Sequence, residues 1–145
     1  MAKSNPGGRA HTMELPVRTS GRAEILDITD AVGRAVADSG VSSGICHLFV
    51  PHTTAGVLVN ENDDPAVARD IAATLDKLVP RGPAYQHREG NADAHIKSAM
   101  VGVSETVFVE NGRLALGRWQ GIFFCEFDEP RDRRIRLKIV PDPAV

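Results

Sequence analysis

Cysteine is scarce in this 145-residue chain: Cys46 and Cys125 are the two present, and both stand inside apolar runs. That arrangement offers neither a disulfide framework nor a cysteine-based zinc finger, and it makes buried free thiols the expectation. Long apolar runs are missing too. Nothing approaches the ~20 residues of a membrane span, and the first residues lack the apolar core of a secretory signal. The expected compartment is the cytoplasm, with no membrane partner. Charge of one sign is also absent: 17 Lys and Arg against 19 Asp and Glu leave a formal charge of -2, which argues against a general nucleic-acid binder. No internal repeat is visible, and the length suits one domain with one core.

What is there divides into a bare start and a patterned remainder. Residues 1–12 hold Pro6, Gly7 and Gly8 with almost no large apolar side chain, so they are expected to form a disordered N-terminal tail. Residues 13–145 form the domain. From Met13 the chain alternates as a strand; Ser20-Gly21 then turns it into a second strand at Ala23 to Ile28, which together read as a hairpin. A helix follows to about Ser39, stopped by Gly40. Ile45 to Val50 is a dense strand whose His47 reads as a hydrogen-bonded core histidine. Asp64-Pro65 starts a second helix whose stripe of Val67, Ile71, Leu75 and Leu78 is buried on one side. A short helix is expected over Ala94 to Val101. The last third is β: Glu105 to Val109, an Asn111-Gly112 tight turn, a long strand from Arg118 to Asp128, and Ile135 to Ile139 as an edge or interface strand. Trp119 falls on the apolar parity of its strand and reads as core or interface packing.

Chemistry is concentrated between His87 and Ser98, where two imidazoles, two carboxylates, an ammonium and a hydroxyl crowd one loop and helix start. Imidazole binds metals or moves protons near neutral pH, and lysine with a hydroxyl grips anionic oxygen. Pro51-His52-Thr53-Thr54 adds an imidazole and two hydroxyls at a strand end, where side chains are rigid yet reach solvent. Asn60, Glu61, Gln120 and Glu126 complete the polar candidates, because the Arg118 to Asp128 strand carries polar groups at both ends of one face. Arg131 opens a basic turn whose arginines otherwise read as a solvated rim.

Two chemistries fit this set. His52, His87 and His95 with a carboxylate suit a divalent ion, zinc or magnesium, in an open catalytic site, although the spacing is not the His-Glu-x-x-His helix pattern. Alternatively Thr53, Lys97, Ser98 and Arg131 grip a phosphate while a histidine or Glu126 moves a proton. Serine catalysis fits poorly, since Ser98 has no nucleophile-elbow pattern.

His52-Thr53-Thr54-Ala55, Asn60-Glu61-Asn62 with Asp64-Pro65, the Asn91 to Ser98 segment, Gly112 to Leu116 and Gly117 to Ile122 together resemble the YjbQ-type family, over about residues 13–140. That family carries the label of secondary thiamine-phosphate synthase. The resemblance implies an α+β, single-domain β-sandwich with two main helices and a homotrimer with sites near subunit contacts. It also implies a secondary activity joining a pyrimidine pyrophosphate to a thiazole phosphate, a transferase reaction on small phosphorylated substrates. By motif position the catalytic expectation falls on His52, Glu61, His95, Lys97 and Glu126. Ligand binding falls on Thr53, Thr54, Asn60, Ser98, Gln120 and Arg131, and metal binding on His52, His87 and His95. Two other function classes stay open at this point: a trimeric metal- or small-molecule-binding protein without turnover, and a metal-dependent phosphate-ester hydrolase. The chain departs from the family at Glu129, where glycine is frequent, in the turn that carries Arg131.

Overall fold

The computed structural model describes residues 8–144. Its frame is strand β7 (Gln120–Glu126), in which every residue from Gly121 onward is buried. The cause is coverage on both faces: Ile122 and Phe124 enter the main core, and Cys125 enters a second apolar layer with Phe127. β2 (Glu24–Asp27) and β4 (Ala55–Glu61) flank β7 antiparallel, making a three-stranded sheet. The opposing sheet has five strands in the order β1 (His11–Arg18), β8 (Asp132–Pro141), β3 (Gly44–Phe49), β5 (Ser104–Glu110), β6 (Arg113–Leu114), all antiparallel to their neighbours. Cys46, Leu48, Val107, Val109, Ile135, Leu137 and Ile139 point inward from this sheet against Val57, Ile122 and Phe124 of the other. This is a β-sandwich core filled by alternate residues of each strand.

Helix α1 (Thr29–Ser39) adds Val32, Ala35 and Val36 to that core and ends at Gly40, whose φ of 72° suits a residue without Cβ. Helix α2 (Pro65–Leu78) starts where Asp64 accepts a hydrogen bond from the Ala66 amide at 2.9 Å, with proline at the first helical position. Helix α3 (Ala92–Val101) and α2 lay Ala94, Val101 and Leu75 against Cys125, Phe127, Ile25 and Leu58 on the outer side of the three-stranded sheet. The architecture is α+β, and both thiols are free and fully buried. Burial pushes Cys46 up to about 11 and Cys125 up to about 12.

Several expectations change. The Ser20-Gly21 turn does not make a hairpin: β1 pairs with β8 and β2 with β7, in different sheets. β8 is not an edge, since it lies between β1 and β3. Its strict alternation of buried and exposed residues reflects a sheet with one solvated face. β1 begins at His11, so His11 and Thr12 pair with Ile139 and Lys138 instead of continuing the tail; residues 1–7 of that tail lie outside the described residues. His47 is half-buried on the solvated face, hydrogen-bonded through Nδ1 to Thr106 Oγ1 at 2.7 Å. Trp119 precedes β7, is 53% exposed and joins no core of the described residues. The Asn111-Gly112 turn forms as expected, with positive φ at both residues and Glu110 opposite Arg113.

Candidate functional site

The antiparallel β4–β7 pair has two ends, and they separate the expected residues. Ala55 lies opposite Glu126 at one end and Glu61 opposite Gln120 at the other. The six residue steps between them span about 20 Å.

At the Glu126 end, Pro51 stops β3 and sends His52 and Thr53 over the strand ends. There they meet the start of α3 and the turn after β7. A cleft of about 360 Å³ opens between these segments, with His52, Thr53, Asn91, His95, Asp128 and Arg131 in its wall. Behind it Glu126, fully buried, takes a fork from Arg133, Nε to Oε1 at 2.9 Å and Nη2 to Oε2 at 2.5 Å. Thr19 Oγ1 and the Asp128 amide also donate to Glu126, at 2.8 and 3.1 Å. Burial alone would raise this carboxyl, but the bonds from Arg133, Thr19 and Asp128 outweigh it and hold Glu126 below the usual range. Arg133 in turn donates to Thr54 Oγ1 at 2.8 Å, which fixes the segment carrying His52.

Asp128 has the corresponding place at the cleft itself. It accepts from Asn91 Nδ2 and from Arg131 Nη2, both at 3.0 Å, with Arg22 at 4.0 Å. Burial raises its carboxyl, but the Asn91 bond and the Arg131 and Arg22 charges leave it below the ordinary value. Arg131 also donates from Nε to the Glu129 carbonyl at 3.2 Å. Among the described residues its Nη1 enters no hydrogen bond. Glu129 does not adopt positive φ, so the turn forms without the glycine frequent in the family.

His52 accepts the Arg134 backbone N–H at Nε2, 3.1 Å away. Burial and the Arg133 charge lower its pKa, so the ring is neutral near pH 7. A neutral imidazole that accepts at Nε2 carries its proton on Nδ1. His52 therefore offers a donor, and no lone pair remains for a metal. Of the three expected metal ligands, His87 and His95 do come together, edge to face with ring centroids 5.0 Å apart. Among the described residues, no three His, Cys, Asp or Glu side chains are grouped closely enough to hold one ion. A one-chain three-histidine site does not fit this arrangement.

Other expected residues are placed differently. Glu126 was expected to move protons, yet its oxygens are filled by bonds that hold Arg133. Lys97 is 2% exposed and ion-pairs with Asp76 of α2 and with Asp93 at 3.5 Å, away from the cleft wall. Ser98 donates to the Ala55 carbonyl at 2.6 Å and seats α3 on β4. Asn60, Glu61 and Gln120 lie at the far end of the strands; Gln120 Oε1 accepts from the Gly117 amide at 2.7 Å, and Asn60 Oδ1 from the Glu61 amide. Within one chain they do not reach the cleft.

Sequence reasoning passed over Asp128 and Arg133 as parts of the site, and it did not single out Asn91 and Asp93 within the His87 to Ser98 stretch. Arg133 was read as solvated rim, and only its position inward on β8, next to Glu126, shows otherwise. Asp93 is 1% exposed and holds Arg22 at 2.7 Å; its Oδ1, with Asn91 Oδ1 and Arg22 Nη1, has no hydrogen-bond partner. Asp128 had one available signal, its place on the polar parity at the end of β7. No helix of the described residues is long and apolar enough to cross a membrane.

Comparison with known proteins matches this geometry to a family. The family model described as UPF0047 protein YjbQ-like matches residues 13–142. A UPF0047 protein of Methanocaldococcus jannaschii is 48% identical over 126 residues, 87% of this chain and 91% of that protein. YugU of Bacillus subtilis is 46% identical over 127 residues, 87% of this chain and 96% of that protein. Among solved structures, a YjbQ/UPF0047 family protein of Clostridium acetobutylicum superposes with a TM-score of 0.86 at 51% identity, covering 88% of this chain and 99% of that one. A YbjQ-like protein of Sulfolobus solfataricus gives a TM-score of 0.88 at 32% identity, covering 92% and 99%. The chain belongs to the YjbQ/UPF0047 family.

Proposed function

We propose that the cleft between His52, His95 and Arg131 binds small phosphorylated compounds and that the chain is a transferase. Its secondary reaction joins a pyrimidine pyrophosphate to a thiazole phosphate. The observation that carries this reading is Arg131, held by Asp128 with donors to spare, in one cleft wall with a neutral His52 whose Nδ1–H has no partner among the described residues. Arg131 keeps donors beyond its pair with Asp128, and His52 adds an uncharged one; together they can meet anionic oxygen in a cleft whose wall also carries Asp128 and Glu89. Asn91 and the start of α3 add a helix N-terminus, which favours negative charge. In the joining reaction the thiazole nitrogen attacks the pyrimidine methylene as its carbon–oxygen bond to pyrophosphate breaks. On this reading Arg131 and His52 hold the departing oxygens, and a proton from His95 goes to the leaving pyrophosphate, since the attacking ring nitrogen has none to lose.

A divalent ion would be held by His87 and His95, and imidazole donors suit zinc better than magnesium. Such an ion would supply charge for the phosphate oxygens. Asn60, Glu61 and Gln120 serve, on this reading, the cleft of a neighbouring subunit in a homotrimer. The test is growth of a strain lacking its main thiamine-phosphate synthase. Well-expressed wild type restores growth and His95→Ala does not; no rescue by wild type, or equal rescue by the variant, overturns the reading.

A second reading, binding without turnover, is favoured by one observation: Glu126 and Lys97, two of the expected catalytic groups, are both committed to buried ion pairs. Ligand-dependent melting with no product from the two precursors supports it. A phosphatase panel with and without chelator separates both from phosphate-ester hydrolysis.

A further inference from the structure

We propose that the solvated face of the five-stranded sheet binds single-stranded RNA, stacking bases on its exposed rings and meeting phosphates with a row of cations. The inference does not depend on what the cleft binds. Alternation sends one parity of each strand into the core and the other outward. From β1 and β8 the outward parity carries four cations, Arg18, Arg134, Arg136 and Lys138, and two carboxylates, Glu14 and Asp132. Asp132 is taken by Arg18 at 3.3 Å, and Glu14 lies 3.8 and 3.9 Å from Arg134 and Arg136, so one carboxylate serves two arginines. Among the described residues Lys138 has no acidic partner. A chain with a formal charge of -2 thus keeps one positively biased face.

The rings stand in register with the cations. Across the β3–β8 pair Phe49 lies opposite Arg136 and His47 opposite Lys138. Each ring therefore has a cation beside it on the neighbouring strand, and the unit recurs after two residues, about 7 Å. That is close to the spacing of successive nucleotides in an extended single strand. Two residues further along, Phe108 of β5 lies opposite Ile45 and supplies a third exposed ring. His47 is held by its bond to Thr106, so its ring is placed before any ligand arrives. A depression of about 280 Å³ lies between the rings and the cations, with Phe49, His47, Arg136, Lys138 and Thr12 in its wall. Bases can lie on such a face only when unpaired, because a duplex turns their flat sides inward. The Thr12 hydroxyl, opposite Lys138 in the same row, suits the 2′-hydroxyl of a ribose.

The experiment follows the fluorescence anisotropy of a short labelled oligouridylate mixed with the full chain. Wild type should bind it at micromolar concentration, with log affinity falling against log salt at a slope of about −2, for three phosphates met by Arg134, Arg136 and Lys138. Phe108→Leu keeps apolar area but removes the ring, and should weaken binding about fivefold or more. Lys138→Gln should weaken binding and flatten the slope by about 0.7. Lys77→Gln removes the same charge from α2 and should change neither. All three positions are exposed, so these variants should melt as wild type does. No binding by wild type overturns the proposal. So does binding that Phe108→Leu leaves unchanged, or equal weakening by Lys77→Gln, since either would leave only diffuse attraction. Equal binding of the deoxy oligomer of the same sequence overturns the choice of RNA. A lower solution mass in Phe108→Leu would mean that a second copy covers the face, and binding of phosphatidylglycerol vesicles without binding of the RNA would assign it to a membrane surface; both overturn the proposal.

Discussion

Glu126 and Lys97 have opposite charges, both lie almost wholly out of water, and neither lines the cleft. A buried carboxylate stays ionised only if donors replace the water it loses, and Glu126 has four. Removing its charge strands Arg133 at 4% side-chain exposure. Glu126→Gln should therefore cost about 3–5 kcal/mol in urea unfolding, the usual penalty for breaking a buried pair. The same carboxyl predicts an acid response. Its pKa is lower folded than unfolded, so its contribution is complete above the ordinary carboxylate range and is lost as pH falls through the depressed value. Wild type should lose stability on acidification more steeply than Glu126→Gln, measured by unfolding midpoints across pH. For His52, long-range proton–nitrogen NMR should find the Nδ1–H tautomer and a titration below the ordinary 6.5; an Nε2–H form would remove the donor on which the anion reading depends.

Among the elements, α3 carries His95 into the cleft wall, and its seat on β4 depends on one glycine. A Cβ on Gly56 would stand 2.7 Å from the Gly102 carbonyl oxygen and 3.2 Å from Val101. Gly56→Ala should thus push the end of α3 outward and destabilise by about 1–3 kcal/mol in urea unfolding, as overpacking does. α2 tests a local rule instead. Asp64→Ala removes the bond to the Ala66 amide and should cost about 1 kcal/mol in thermal or urea unfolding with no change in ligand binding. That cap, with Pro65 behind it, was legible because the signal and the element are adjacent in the chain. Gly40 and the Asn111-Gly112 turn were legible for the same reason. The misread hairpin shows the limit: Ser20-Gly21 does turn the chain, but strand pairing is chosen by distant partners, Asp132 to Ile139 for β1 and Phe123 to Glu126 for β2.

For the molecule as a whole, the separation of the two polar ends of β4 and β7 is the fact to explain. If a neighbouring subunit joins them, solution mass should be three times that of the chain. Mixing His95→Ala with Glu61→Gln in one cell should then restore part of the growth that neither supports alone, because mixed trimers contain an intact pairing of the two ends. A clean monomer, or no restoration in mixed assemblies, removes the shared site. The solvated face of the five-stranded sheet bears Phe49 and Phe108, 42% and 64% exposed, whose parity in β3 and β5 was plain but whose side was not.

By itself the sequence determined what neighbours in the chain control: strand parity, helix caps, turns, the burial of the cysteines and the chemical types gathered near His52 and His95. The combination of motifs also pointed to the family. The tertiary structure alone decided which charges meet. Arg133 reaches Glu126 from seven residues away, Lys97 reaches Asp76 from another helix, and Asn60, Glu61 and Gln120 end up at the opposite end of the strands from the cleft. Alternation along a strand tells which side chains share a face, but pairing sets which ends coincide, and burial then converts an apparent catalytic carboxylate into the anchor of an arginine.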